Sequence, residues 1–238
     1  MTGTLINIAT VLVGTGIGIT AGGRLSESAQ QRVLAGLGMI TLVIGIDLAL
    51  AWGREDTTSQ TPLYVLGGIL LGGLIGEAIA IERRLEALGD AVQRKLARPG
   101  GGASTISEGF VTASLLFCVG SLTVVGSIQD GLTGDYSTLA TKAVLDGFAA
   151  IALAATLGWG VALSAITILL IQGTLTLGAG LFDDLLQGEA LAALTSAGGV
   201  TIIGIALKLL DLKDVKVGNF LPALVVAPAL VGLVSLVR

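Results

Sequence analysis

The chain has 238 residues, of which 53% are hydrophobic and only 13% are charged, and its mean hydropathy is +0.91. So little charge cannot coat a soluble domain of this length, and the composition therefore predicts an integral membrane protein. A net charge of −4 and the lack of histidine argue against nucleic acid as a partner, against imidazole-based metal sites and against a Ser-His-Asp triad. No cofactor is predicted.

Eight apolar segments are long enough to cross a bilayer, which takes about 20 helical residues. In chain order they cover residues 4–23, 33–53, 62–82, 109–128, 139–157, 160–182, 190–209 and 217–237. The fifth and sixth are divided only by LGWG at 157–160, which predicts a tight glycine-flanked turn. The predicted fold is an all-α, polytopic membrane protein with about eight transmembrane helices in one domain, 1–238.

Basic residues gather in alternate loops of this arrangement. Of the 13 basic residues, ten fall on one side: Arg24, Arg32, Arg83, Arg84, Arg94, Lys95, Arg98, Lys208, Lys213 and Lys216. The positive-inside rule places these loops in the cytoplasm and both termini outside. The longest loop, 82–105, has apolar residues at helical spacing, so residues 83–105 are predicted to form an amphipathic helix on the cytoplasmic surface, with partner binding as the alternative.

A shift of 159 residues brings out an internal similarity. VGTGI at 13–17 then aligns with QGTLT at 172–176, and VIGID at 43–47 aligns with IIGIA at 202–206. Spans one to three thus resemble six to eight. Spans four and five share an acid-Gly-Phe opening, at Glu108 and at Asp146. Since each matched pair would cross in opposite directions, the pattern indicates a pseudo-symmetric inverted repeat, which is typical of transporters.

Glycines recur at every fourth position on two of the predicted spans. Small residues at this spacing allow helices to approach closely in lipid. Packing within the bundle explains them, and a homodimer through the glycine faces is the alternative. The two sets are Gly14, Gly18 and Gly22 on span one, and Gly68, Gly72 and Gly76 on span three.

Charged side chains inside apolar spans are the first candidates for function, because each costs about 2.5–3.5 kcal/mol or more to insert. Asp146 lies within span five, and Lys142 stands one helical turn before it, so the two can pair. Structural neutralisation and ion gating both use such a pair. Glu108 follows Thr105 at capping-box spacing, which favours a helix cap at the cytoplasmic face over a role in transport.

Four further polar residues lie in or at the ends of spans. Gln172 is in the middle of span six, and Gly173 beside it would permit local unwinding and expose backbone carbonyls; hydrogen bonding between helices is the alternative. Asn219 precedes Pro222, which predicts a kinked or broken span eight. Asn7 in span one and Asp130 after span four complete the set.

Several of these motifs together resemble a known bacterial membrane family, that of domain of unknown function 554. The similarity rests on MTGTLIN, EGFVTASLLFCVGS, KAVLDG, GWGVALS, IQGTLTL, TSAGGVTIIGI and VGNFLPAL, which are spread over most of the chain. The resemblance implies a multi-pass protein of the bacterial cytoplasmic membrane and a transport class without a named substrate.

The leading functional prediction is a secondary transporter or permease for a small solute or ion, in contact with the lipid bilayer. Its pathway would be lined by Asp146, Lys142, Gln172, Asn219 and Asn7, with Glu108 and Asp130 at its mouths. A passive channel is the second hypothesis, and a non-transporting partner or assembly protein acting through the loop helix is the third. An enzyme is not predicted, since the sequence has no histidine-based motif, no Gly-x-Ser-x-Gly and no metal-binding cluster. Cys118 is a conceivable nucleophile, but its apolar surroundings disfavour the thiolate.

The predicted topology can be tested by cysteine labelling. In a chain whose Cys118 is replaced by serine, Lys95→Cys is expected to react only with reagent on the cytoplasmic side, and Asp183→Cys only with reagent outside. The basis is the segregation of basic residues. Labelling of both positions from the same side would contradict the arrangement.

Overall fold

The computed structural model describes residues 1–22, 26–53, 57–84, 87, 103–118, 121–181 and 186–237, and every regular element among them is helical. The predicted all-α class is therefore confirmed for this part of the chain. The helices are α1 (Thr2–Gly22), α2 (Glu27–Ala49), α3 (Thr61–Ile79), α4 (Ala103–Cys118), α5 (Ser121–Thr133), α6 (Ser137–Leu157), α7 (Ser164–Leu177), α8 (Gly188–Leu209) and α9 (Ala223–Val237), with 3₁₀ helices at Leu50–Gly53, Gly158–Leu163 and Val217–Phe220.

Six segments of the described chain are long and apolar enough to cross a membrane. They are Thr2–Gly22, Gln31–Gly53, Thr61–Ile79, Ser137–Leu177, Gly188–Leu209 and Val217–Ser235. The pair α4 and α5, bent by 61°, provides a seventh if the two helices are counted as one span. The protein is thus a polytopic membrane protein, as predicted. Most of the predicted surface helix at 83–105 lies outside the described residues.

Contacts within the chain group into two compact units. The first comprises Met1–Leu37, Arg83–Cys118 and Leu122–Gly180, and so contains α1 and α4 to α7. The second comprises Gly38–Glu82, Val119–Ser121 and Leu181–Arg238, and so contains the second half of α2, with α3, α8 and α9.

In the first unit, α1 and α6 run side by side in the same direction. Gly3 packs on the side chain of Leu139 near the start of both helices, and Gly22 packs on the backbone of Ala155 near their ends. Asp135 accepts a hydrogen bond of 2.9 Å from the backbone N–H of Ser137 where α6 begins. This bond stabilises the carboxylate and holds the pKa of Asp135 below its usual value.

The chain reverses between α6 and α7. Gly158, with φ of +72°, ends α6, and a residue with a side chain would be strained in that conformation. Gly160 in the following 3₁₀ helix packs on the backbone of Ile106. α7 then returns, so that Gly173 lies beside Met1. The break predicted at LGWG is therefore confirmed, and the 41-residue segment Ser137–Leu177 contains two antiparallel helices.

In the second unit, α3 and α9 pack antiparallel. Gly68 packs on Ala227, and Gly76 two turns later packs on the backbone of Asn219. The other glycine face, that of α1, is covered by α6 within the first unit. Both glycine faces are thus covered by helices of the same chain. Packing within the bundle accounts for them, and the alternative of a homodimer through these glycines is wrong.

Large apolar side chains cover much of the accessible surface of the helices. Leu74, Phe148 and Val225 are each 69% exposed, an arrangement that water would disfavour and that acyl chains favour. The outward faces of the helices therefore match a lipid environment.

A pair of alanine substitutions in α1 tests the packing. A Cβ atom at Gly14 would overlap the carbonyl oxygen of Gly147, whereas no described atom lies within 4 Å of a Cβ atom at Gly16. We expect Gly14→Ala to cost about 1–3 kcal/mol, because overpacking forces backbone shifts. Gly16→Ala, on the same helix, should not lower thermal stability in detergent, because alanine favours a helix more than glycine does. Equal stability of the two variants would contradict the close contact of α1 with α6.

Candidate functional site

The first unit contains a polar cluster at the break between α4 and α5. α4 ends at Cys118 and α5 begins at Ser121, whereas the sequence predicted an unbroken span. The last carbonyl groups of a helix lack partners within the helix. The carbonyl oxygen of Phe117 is one of these, and it accepts hydrogen bonds from Lys142 Nζ at 2.7 Å and from Thr123 Oγ1 at 3.2 Å.

The centre of the cluster is an ion pair on α6. Lys142 and Asp146 are one helical turn apart and pair directly, with side chains only 7% and 9% exposed. Asn7 of α1 is fully buried and donates from Nδ2 to Asp146 Oδ2 at 2.9 Å. The predicted pairing of Lys142 with Asp146 is therefore confirmed, and Asn7 joins it from a helix that is distant in sequence.

The cluster is electrically balanced but not saturated with hydrogen bonds. One ammonium group faces one carboxylate, so the burial of each charge is offset by the other. The Oδ1 atom of Asn7 is buried and has no hydrogen-bond partner among the described residues. An unpaired buried acceptor costs about 1–3 kcal/mol, so this atom retains binding capacity beside the ion pair.

Asp130 has a structural partner at the start of α1. Its Oδ2 atom accepts a hydrogen bond of 3.1 Å from the backbone N–H of Gly3 and lies 2.9 Å from the Met1 amino group. A carboxylate is favourable there because the first N–H groups of a helix are unpaired and carry partial positive charge. These contacts give Asp130 a capping role at the start of α1.

Gln172 is fully buried on α7, and neither atom of its amide has a partner among the described residues. The hydroxyl groups of Thr4, Ser127 and Thr176, in the same unit, are also buried without such a partner. The predicted unwinding at Gly173 is wrong, because α7 continues as a regular helix from Ser164 to Leu177. The hydrogen bond between helices that was the alternative is likewise not made within the described part of the chain.

Glu108 lies inside α4 rather than at its beginning. The helix begins at Ala103, two residues before Thr105, so Thr105 is not its N-cap and the predicted capping box is wrong. The Glu108 side chain is half-buried. The next residue in the sequence, Gly109, packs against Leu157.

Asn219 belongs to the second unit, in the 3₁₀ helix that precedes α9. It donates from Nδ2 to a Glu77 carboxylate oxygen and accepts a hydrogen bond of 2.8 Å at Oδ1 from the Glu82 backbone N–H. Glu82 in turn accepts a bond of 2.7 Å from the N–H of Gly218. The predicted break near Pro222 is confirmed, and Asn219 ties it to the end of α3. The structure thus groups Asn7, Lys142 and Asp146, and places Asn219 in a separate cluster with two carboxylates.

Three participants were missed by sequence reasoning, namely Phe117, Thr123 and Glu82. Phe117 acts through its backbone, which no side-chain pattern reports. The sequence VGS at 119–121 was the available signal, because a glycine-serine pair in an apolar helix marks a common place for a kink.

Helices with lipid-compatible outer faces and a neutralised ion pair buried inside define a multi-pass α-helical membrane protein. The chain belongs to the family described as protein of unknown function (DUF554), whose model matches residues 2–232. This confirms the resemblance found in the sequence.

Two relatives extend over nearly the whole chain. The uncharacterized membrane protein YdfK of Bacillus subtilis (strain 168) is 30% identical over 231 residues, covering 97% of this chain and 96% of the relative. The uncharacterized protein YqgA of Escherichia coli (strain K12) is 31% identical over 227 residues, covering 94% of each. No solved structure matches the chain.

A double-mutant cycle tests the buried pair. Lys142→Met leaves Asp146 buried without its counter-charge, so we expect a loss of about 3–5 kcal/mol in unfolding free energy. The double variant Lys142→Met/Asp146→Asn should be more stable than Lys142→Met, because it removes both charges. The measurement is unfolding in mixed detergent micelles.

The exposed pair of Lys208 and Asp214 serves as the control. Its atoms are 3.6 Å apart and the aspartate is 81% exposed, so the same cycle should give a coupling of about 0–1 kcal/mol. Equal coupling energies for the two pairs would show that Lys142 and Asp146 are not buried together.

Proposed function

We propose that the protein is a secondary transporter for a small solute or ion, and that the Lys142–Asp146 pair lies at the centre of its pathway. The observation that carries the proposal is the position of this pair, buried against a carbonyl group at a helix break. Charged residues inside spans are costly and most often mark substrate paths.

The broken helix is the second element of the proposal. Helices interrupted inside the bilayer place unpaired carbonyl groups where a solute can meet them, and this irregularity is tolerated only within protein or beside a cavity. The pathway is proposed within the first unit, with Asn7 beside the pair. Gln172 is proposed as a further contact, since neither end of its buried amide is bonded to a described residue. Glu108 and Asp130 are proposed at the mouths.

The proposed topology has eight crossings, with α4 and α5 together as one and α6 and α7 as two. An inverted repeat relating spans one to six, two to seven, three to eight and four to five would make the members of each pair antiparallel. Supporting this, α2 and α8 are antiparallel neighbours, with Gly38 on Leu210 and Gly45 on Ile203. The pairs α1 with α7 and α3 with α9 are antiparallel as well.

We further propose that the protein resides in the bacterial cytoplasmic membrane with both termini outside. The support is the segregation of basic residues in alternate loops, together with the similarity to the uncharacterized membrane protein YdfK of Bacillus subtilis.

Transport by the Asp146→Asn variant provides the test. Proteoliposomes would be loaded with the pH dye pyranine, which would report changes in internal pH when gradients of sodium, potassium or ammonium salts are applied. Light scattering would report the entry of glycerol or urea. Flux shown by the wild type is expected to fall at least about tenfold in Asp146→Asn, which removes the charge from the pathway.

Asp214→Asn is the matched control, because it removes an exposed carboxylate and should transport as the wild type does. Flux in Asp146→Asn equal to wild type would remove this pair from the mechanism. Flux that fails to saturate with concentration would instead indicate a passive channel.

A further inference from the structure

Within the described residues, both groups that bond to the Lys142 ammonium offer oxygen atoms. The Phe117 carbonyl lies 2.7 Å away, the Asp146 carboxylate pairs with the ammonium directly, and the buried Thr123 hydroxyl lies 3.2 Å from the same carbonyl oxygen. Carboxylate, carbonyl and hydroxyl oxygens are the ligands that hard cations prefer. These oxygen atoms are therefore a set of ligands suited to a cation, and the Lys142 ammonium is the cation that they bind in this structure.

Asn7 adds an independent observation. Its Oδ1 atom is fully buried and has no partner in the described chain, although the Nδ2 atom of the same amide binds Asp146. The two ends of an amide have nearly the same shape, so a half-turn of the amide exchanges them. After that exchange, Oδ1 would face the carboxylate and become a further cation ligand.

The direction of α4 also favours a cation at this point. A helix carries partial negative charge at its C-terminus, where its last carbonyl groups are unpaired. α4 ends at Cys118, one residue after Phe117, so this negative end faces the ammonium. Ends of broken helices bind coupling ions in the same way in other membrane proteins.

The charge balance selects the valence of the ion. With the ammonium absent, Asp146 is the single charge in the cluster formed with Asn7, Phe117 and Thr123. A monovalent cation restores neutrality, whereas a divalent cation leaves one uncompensated positive charge in a low-dielectric interior, which is costly.

We propose that the Lys142 ammonium occupies a monovalent-cation site, and that a free ion such as Na⁺, K⁺ or NH₄⁺ binds the same oxygens once the lysine side chain leaves. The ion's role as transported or coupling species rests on the proposed function. The binding itself does not, and it is measured without transport.

The test uses thermal unfolding of the purified full-length protein in detergent. Lys142→Met is titrated with NaCl, KCl, NH₄Cl and choline chloride at constant ionic strength, choline being too large for the site. At least one of the three small cations should raise the Tm of Lys142→Met by about 5 °C or more at saturation, because it binds only the folded state. Wild type, whose site is filled, should show no difference among the four salts.

Lys142→Met/Asp146→Asn is the matched control and should not respond to any of the cations, because it lacks the carboxylate. Indistinguishable Tm values for Lys142→Met in all four salts overturn the proposal, as does an equal response of the double variant. If Lys142→Met folds in none of the salts while the double variant folds, no free cation replaces the ammonium and the proposal is likewise overturned. Lys142→Gln, with and without Asp146→Asn, provides a second pair of variants should both methionine variants fail to fold.

If the stability of Lys142→Met depends on the cation but flux in Asp146→Asn is unaltered, the cation site is supported and its role in transport is rejected. If flux is lost in Asp146→Asn but Lys142→Met shows no response to cations, the transporter function is supported and the cation site is rejected.

Discussion

The interaction on which the first unit depends is the ion pair of Lys142 and Asp146, held away from water beside a carbonyl group at the end of α4. Neither charge is tolerable alone in a low-dielectric interior, and even a matched pair gains little unless further hydrogen bonds complete it. Phe117 supplies such a bond to the lysine and Asn7 supplies one to the aspartate. Three helices, α1, α4 and α6, are therefore tied together at one buried polar point.

This constraint explains why the surrounding contacts are so close. Asn7 reaches Asp146 only because α1 and α6 lie almost backbone to backbone, which glycines such as Gly14 and Gly18 permit. In lipid, such packing is the main attraction between helices, since outward-facing leucines gain nothing by leaving the acyl chains. The glycines and the polar cluster are thus two parts of one arrangement, in which close packing allows short side chains to meet.

The sequence was informative where a side chain or a turn decided the structure. The apolar segments, the turn at LGWG, the break before α9 and the pairing of Lys142 with Asp146 all followed from hydropathy, glycine, proline and helical spacing. It was uninformative where backbone atoms decided. The break after Cys118 was missed, the predicted unwinding at Gly173 was wrong, and the cap assigned to Thr105 was wrong because α4 begins at Ala103. Partners distant in sequence, such as Asn7 for Asp146, required the fold.

The two clusters show two ways of using polar groups inside a membrane protein. In the second unit, both ends of the Asn219 amide are bonded, to Glu77 and to the Glu82 backbone, so that amide is fully used in joining α3 to the 3₁₀ helix before α9. In the first unit, one end of the Asn7 amide and both ends of the Gln172 amide have no hydrogen-bond partner in the part of the chain that the structure describes. Each of these groups costs stability while it stays unpaired. Under the proposed transport function, this unused hydrogen-bonding capacity would serve a ligand that is bound and then released.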